Sequence, residues 1–362
     1  MIWGSLYSQV DLNEPEKTPV PEPKAHPDLI WEKIEYTDGE VYEGYINSET
    51  RKKEGYGTYN YGNGNSYEGT WKDDKRSGFG INRWASGDSY EGMYKDNKRS
   101  GFGIYHKAEG YSYEGMWEDG KKSGFGINRF ADGELYEGKW KDDKRSGFGI
   151  NRWADGTSYE GMWKDNLKSG FGIYHWANGE IYEGMWNDGR SGFGINRYTN
   201  GDSYIGMFKD DLRSGFGIYF GNNTDRDYYM MAGEWLEELP DGYIRTHWRD
   251  HSIGWGLFKK GEPIEETMKW EKQNKDWNGF RENLRLSDGS FYTGEYNTNG
   301  GDFVEGYGIR KYPDGSMYIG KFGKDFSRDT SASGIFVTAD HEVTEYKGSS
   351  DEYARIMQKK KK

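Results

Sequence analysis

Apolar and polar positions alternate with a period of two through most of the chain. In Tyr90-Glu91-Gly92-Met93-Tyr94, the residues Tyr90, Gly92 and Tyr94 fall on one side of an extended strand, and Glu91 and Met93 on the other. In Gly101-Phe102-Gly103-Ile104-Tyr105-His106, the two glycines and Tyr105 share a side, and Phe102, Ile104 and His106 share the opposite one. Between the runs lies Lys95-Asp96-Asn97-Lys98-Arg99-Ser100, and a tighter turn recurs as Ser86-Gly87-Asp88. Both carry the residues that turns demand, so the pattern predicts a β-hairpin.

The hairpin is then repeated. Its tyrosine returns at Tyr67, Tyr90, Tyr113, Tyr136, Tyr159 and Tyr182, a step of 23 residues each time, with a step of 22 to Tyr204 and one of 25 from Tyr42 to Tyr67. A Gly-x-Gly comes after each tyrosine, and eight units fill Glu35 to Tyr219. A fixed period of this kind marks a repeat architecture in which each unit touches chiefly its neighbours. Glycines without side chains leave slots in which rings of the adjoining strand can lie. The residues expected to hold the fold are therefore Tyr67, Gly69, Tyr90, Gly92, Gly101, Gly103, Tyr113, Gly124, Gly126, Tyr136, Gly147, Gly149, Tyr159, Gly170 and Gly172.

Tyr-Glu-Gly-x-Trp/Tyr, a polar Lys/Arg stretch, Gly-x-Gly and a glycine before the next tyrosine together resemble the MORN (membrane occupation and recognition nexus) repeat family. The resemblance implies an all-β fold, an elongated single-layer twisted antiparallel sheet of tandem hairpins. Two departures stand out. Serine occupies Ser77, Ser100, Ser123, Ser146, Ser169, Ser191 and Ser214, where family members often carry histidine, and Ile205 replaces the glutamate of the eighth unit. Similar proteins without an enzyme domain are components of the ciliary axoneme, of the radial-spoke-head type. The resemblance therefore implies a non-enzymatic scaffold in a multi-subunit assembly of the cilium or cytoskeleton. The family name implies an alternative, a peripheral membrane adaptor for phosphoinositides or other acidic lipids.

The segments outside the regular repeats differ in kind. Residues 1–33 are expected to form an extended Pro-rich acidic arm, because prolines at that density suit neither helix nor ladder. Residues 34–220 hold the eight regular repeats, and 221–287 a worn unit, with Tyr243 preceding Gly254-Trp255-Gly256, plus a helical elbow near 263–277. Two more units occupy 288–338, around Tyr292 and Tyr318, and 339–362 is a tail with a short helix near 350–359 ending in four lysines.

Composition narrows the chemistry. Only 33% of the 362 residues are hydrophobic while 17% are aromatic, with 54 glycines and 30 tyrosines, so stability must come from ring packing on a sheet rather than from a broad aliphatic core. There is no cysteine, hence no disulfide framework and no thiolate ligand or nucleophile. No apolar run reaches the roughly 20 residues of a membrane span, and no leader is visible, which suits an intracellular protein. The Gly-x-Gly pairs lack the third glycine and following helix of a dinucleotide loop, and His247 and His251 lack the glutamate and third ligand of a zinc site. Neither a cofactor nor a metal is expected, and a net charge of −12 speaks against nucleic acid.

Two ladders remain as candidate binding surfaces. Cations recur at the turns (Arg76, Arg99, Lys122, Arg145, Lys168, Arg190 and Arg213) and inside the second strand at Arg83, Arg129, Arg152 and Arg197, alternating there with His106 and His175. Such rows either bind acidic head groups or acidic protein tails, or simply keep a long sheet soluble. An aromatic file, Trp84, Phe130, Trp153, Trp176 and Tyr198, either lines a protein-binding groove or covers the glycine slots of the next hairpin. The expected partners are other proteins, a second copy of the chain among them.

Overall fold

The computed structural model describes residues 28–222, 227–250, 252–272, 280–295, 306–322, 328 and 334–346. The chain is all-β: consecutive hairpins build a long antiparallel sheet that is not closed into a barrel. It divides into two compact units, residues 1–109 with 116–120, and 110–115 with 121–362.

In the first unit the hairpin of Ser66–Lys72 and Lys75–Arg83 sets the pattern. Asp73 and Asp74 both have positive φ, 49° and 64°, and connect Lys72 to its cross-strand partner Lys75. Positive φ at both central residues is the two-residue hairpin turn whose twist matches the strands, and Asp and Asn tolerate it best. The same geometry recurs at Asp96-Asn97, and in the second unit at Asp142-Asp143, Asp165-Asn166 and Asp210-Asp211. At Asp188 a single residue joins Asn187 to Gly189, which accounts for the one step of 22 in the sequence.

The register explains why two glycines recur. Gly69 pairs with Gly80, but Trp71 pairs with Arg76, so Ser77, Gly78 and Phe79 stand opposite Thr70 alone. Gly78 takes φ +67° within that bulge, a region that disfavours any side chain. The second glycine of each pair has a different role, set by the ring that lies over it.

In the second unit the register puts the worn hairpin one strand earlier than the tyrosine pattern places it. Gly233 pairs with Ile244 and Trp235 with Pro240, as Gly69 pairs with Gly80 and Trp71 with Arg76, so Tyr228–Leu236 and Leu239–Trp248 form this hairpin. Over the described part of the helix expected near 263–277, residues 263–272, no α-helix is formed, and 273–277 lie outside the described residues. Glu262–Pro263 and Lys269–Lys272 are strands paired with Ser252–Lys259, and only a single 3₁₀ turn, Glu265–Thr267, lies between them. The acids ahead of bases that suggested a helix are outweighed by ladder pairing of Trp255 with Lys269 and Gly254 with Trp270. The helix expected near 350–359 lies outside the described residues.

A second sheet of six strands, from Phe280–Arg285 to Val343–Tyr346, comes next in the same unit. It repeats the ring-in-slot theme: Tyr292 is fully buried against Gly308, and Tyr318 against Gly334. It also adds a second layer. Ile309, Ile319, Ile335 and Val337 pack on Phe193, Ile195, Phe216, Ile218, Met230 and Ala232 of the long sheet, one continuous apolar core.

Candidate interaction face

Strand parity gives each hairpin a ring face and an open face. On the ring face Tyr67 and Tyr90 of the first unit, and Tyr113, Tyr136 and Tyr159 of the second, are fully buried. Each lies over the second glycine of its own hairpin: a Cβ on Gly103, Gly126, Gly149 or Gly172 would fall 2.5 to 2.6 Å from the phenol Cζ of Tyr90, Tyr113, Tyr136 or Tyr159. Gly69 and Gly92 are excluded from carrying side chains by the facing glycine backbone, whose Cα would stand 2.5 Å or closer to their Cβ. The first glycines, Gly101, Gly124, Gly147 and Gly170, take φ between 61° and 67°, so the turn of the bulge requires them rather than the ring.

The strand's last aromatic closes the slot edge-on. Tyr136 meets Trp140 at 5.0 Å and Trp163 at 5.6 Å between ring centroids, both T-shaped. The polar tips are satisfied as well: Tyr136 Oη donates to Lys139 O at 3.1 Å, and Trp163 Nε1 donates to Gly149 O at 3.2 Å. Burial pushes the Tyr136 and Tyr159 phenols well above their ordinary range, which keeps them neutral.

The turn cations belong to this face. Arg99 sits 3.9 Å from the Trp117 ring, Arg145 4.3 Å from Trp163, Lys168 4.2 Å from Trp186 and Arg213 4.4 Å from Trp235. Arg76 and Arg190 lie 5.1 Å from Tyr94 and Phe208, and Lys122 4.0 Å from Trp140. Arg76, Arg145 and Arg190 also donate to Asn82, Asn151 and Asn196, which occupy the buried position after the slot glycine. Next to them the exposed lysines bridge to the following turn, Lys75 to Asp96 at 3.0 Å and Lys144 to Asp165 at 3.2 Å. Guanidinium or ammonium over a desolvated ring is a stabilising contact of about 1 to 2 kcal/mol.

The aromatic file is half-buried at the tight turns. Trp84 packs edge-on to Tyr105 at 6.0 Å, Phe130 on Tyr111 at 5.6 Å, Trp153 and Trp176 on Tyr174 at 5.7 and 4.6 Å, and Tyr198 on Tyr219 at 6.2 Å.

Of the open face, sequence reasoning singled out only the row of Arg83, Arg129, Arg152 and Arg197; it missed the apolar rows beside it, although the parity of Phe102 and Ile104 pointed to them. Its first row is chiefly Phe and Met, interrupted by Thr70 and Lys139, its second Ile and Glu, and its third includes Arg and His. Phe79 and Phe102 of the first unit are exposed, and in the second unit Phe125 (54%), Phe148 (48%) and Met162 (43%) are exposed too. In the same row, Phe193 and Phe216 beneath the second sheet are 6% exposed. The third-row cations stay in solvent and pair with second-row acids: Arg83 with Glu68 at 3.8 Å, Arg129 with Glu114 at 3.9 Å, Arg152 with Glu137 at 2.7 Å and Arg197 with Glu183 at 3.3 Å.

Where the second sheet covers the face, the acids disappear. Ile205 and Ala232 stand in the glutamate positions of the long sheet, Thr293 and Ile319 in those of the second, and Phe220 and Met230 extend the apolar surface at the third row. A carboxylate there would lose its water without a partner. The one acid buried between the sheets among the described residues, Glu295, is fully enclosed: it accepts from Arg245 Nε at 2.6 Å and from the Tyr307 amide at 2.9 Å, and it pairs with buried His247. Burial pushes its carboxyl up, but Arg245 and His247 beside it prevail and hold it well below the usual carboxylate range. His247 is thereby a tie between sheets, and among the described residues no cluster of His, Asp and Glu could hold a metal ion.

Among solved structures, the chain is similar to the TCP domain of SAS-4 (dCPAP) of Drosophila melanogaster, determined with a proline-rich motif of Ana2 (dSTIL), at 16% identity over 45% of this chain and 94% of that one, with a TM-score of 0.27. It is similar also to the TCP10 domain of Danio rerio CPAP, at 11% identity over 67% of this chain and 100% of that one, with a TM-score of 0.21. Likenesses this distant do not bear on function. No curated protein matches. The MORN repeat matches residues 52–66, 67–89, 90–110, 113–134, 136–158, 159–181, 182–203, 204–226 and 302–317, more than half of the chain. With the slot, ring and cation recurring from hairpin to hairpin, the chain belongs to the MORN repeat family.

Proposed function

We propose that this chain is a non-enzymatic scaffold that holds other proteins of a large assembly on its open Phe, Met and Ile face, and that the assembly is the ciliary axoneme, of radial-spoke type. One observation carries the surface: the row that is exposed at Phe125, Phe148 and Met162 is the row by which Phe193 and Phe216 already hold a β-sheet. Apolar side chains rimmed by charge are the usual anatomy of a protein-binding patch. MORN repeats form a repeat family without enzymatic activity. The turn cations, engaged by rings and carboxylates, favour proteins over acidic lipids as the occupant.

The test combines place and surface. A tagged chain expressed in a ciliated cell should sit along the axoneme and co-purify with a defined set of proteins. Phe148→Ser with Met162→Ser, both at exposed positions, should leave the melting temperature unchanged and remove proteins from that set. An unchanged set rejects the face; a tag absent from cilia rejects the assembly while leaving the face in place.

A further inference from the structure

We propose that the gap between the two sheets of the second unit binds a small carboxylate with an apolar tail, of the medium-chain fatty acid class. At the third row the sheets part around a cleft of about 580 Å³, within the roughly 300–1,000 Å³ usual for small-molecule sites. Ile205 and Phe220 of the long sheet line it, as do Phe291 and Ile309 of the second sheet, so its walls continue the apolar core. Two cations, Lys311 and Arg249, line it as well, and among the described residues no Asp or Glu does.

The repeat itself shows which group is missing. Elsewhere a third-row arginine pairs with the second-row glutamate of its own hairpin, Arg152 with Glu137 and Arg197 with Glu183. Lys311 stands at the same place: it follows Gly308 as Arg152 follows Gly149, and the register sets Ile309 against Thr293 as it sets Ile150 against Glu137. Thr293 has therefore replaced the acid while the cation was kept, and Lys311 makes no ion pair among the described residues. Arg249, just past the strand Leu239–Trp248, adds a second positive charge, its Nη2 donating to Gly221 O at 3.2 Å.

A ligand carboxylate takes the place of that missing side chain on Lys311, and its tail covers Ile205, Phe220 and Ile309. Apolar walls displace water, so opposite charges attract more strongly in such a cleft than on an open sheet. A neutral tail leaves Lys311 unanswered, and a bare anion leaves the apolar walls wet. Tight binding therefore requires both parts in one molecule.

Isothermal titration of the full chain with decanoate, decanol and inorganic phosphate provides the test. Decanoate should saturate one site, about tenfold or more tighter than either decanol or phosphate. Lys311→Gln, at an exposed position, should weaken decanoate about tenfold, the worth of one charge-assisted contact, with the melting temperature unchanged. Lys209→Gln, at an exposed cation of the same unit that does not line the cleft, should leave the affinity as it is. Thr293→Glu, which returns to Lys311 the acid of the ordinary repeat, should weaken decanoate at least as much as Lys311→Gln does. Decanol binding as tightly as decanoate, decanoate heats that never saturate, or an affinity indifferent to Lys311→Gln overturns the proposal. Each of these leaves the open face to be judged by the Phe148→Ser result.

Discussion

Gly149→Ala tests the slot most sharply. A methyl there would meet the Tyr136 Cζ at 2.6 Å, well inside contact distance, and Tyr136 has nowhere to go: it is fully buried, with Trp140 and Trp163 edge-on and the Arg145 guanidinium 5.7 Å from its centroid. Overpacking of a tight core costs about 1–3 kcal/mol, and giving up a large buried ring about 3–5, so about 2–4 kcal/mol is expected. Two other glycines provide the scale. Gly156→Ala has φ +89° and open space, and Gly147→Ala has φ +67° with only the flexible Lys139 chain at 3.2 Å. Each should lose only the backbone penalty of about 1–2 kcal/mol. Since repeats open in local groups, the assay is native-state hydrogen exchange at the amides of Lys144–Arg152 and Ser158–Lys164, with urea melts alongside. If Gly149→Ala exchanges no faster than Gly156→Ala, the ring does not depend on the missing side chain.

Ile205→Glu, which restores the repeat's usual residue, should expose the second sheet to protease at about 1–3 kcal/mol lower stability, because the new carboxylate faces a cluster of Ile and Phe; an unchanged digestion pattern contradicts this. Arg145→Met should cost about 1–2 kcal/mol, from the lost contact with Trp163 and the stranded Asn151, while Lys144→Met, at an exposed pair, should cost less than about 0.5; equal melts would show that the ring contact adds nothing. The folded Glu295 carboxyl titrates at about 2 against an ordinary 4.5, so its stabilisation is complete above 4.5 and lost as pH falls toward 2. Protection of the Tyr307 amide, relative to its intrinsic exchange rate at each pH, should fall across that window, and Glu295→Gln should flatten the fall. Trp153→Ala should destabilise its hairpin by about 1–2 kcal/mol through Tyr174, read by the same exchange measurement, and full native protection would place Trp153 outside the packing.

Much of the architecture was legible because strand parity and the 23-residue step fix which side chains share a face. The pairing of Tyr136 with Gly149 follows from that alone. What parity cannot assign is the role of each glycine: Gly147 and Gly149 read alike, yet one answers to a positive φ and the other to a ring, a difference made by the register shift between Gly138 and Trp140. The turn cations looked like a surface row because their sequence neighbours are acids, and only the folded hairpin lays Arg145 over Trp163. The stacking of a second sheet was announced by a single exception, Ile205, whose meaning needed Ile319 and Ile309 opposite it. The helix expected near 263–277 gives way, over its described residues 263–272, because a local charge pattern cannot weigh the free edge of Ser252–Lys259, which recruits Lys269–Lys272 as a strand.

The alternation of phenol and indole at 5.0 and 5.6 Å around Tyr136, and at 5.1 and 5.4 Å around Tyr159, has an optical consequence. Excitation absorbed by one tyrosine passes to the tryptophans at its edge, so native chains emit almost wholly as indole. Loosening a hairpin whose tyrosine is edged by tryptophan, as at Tyr136 and Tyr159, brings back phenol fluorescence, a label-free gauge of how many of these remain closed.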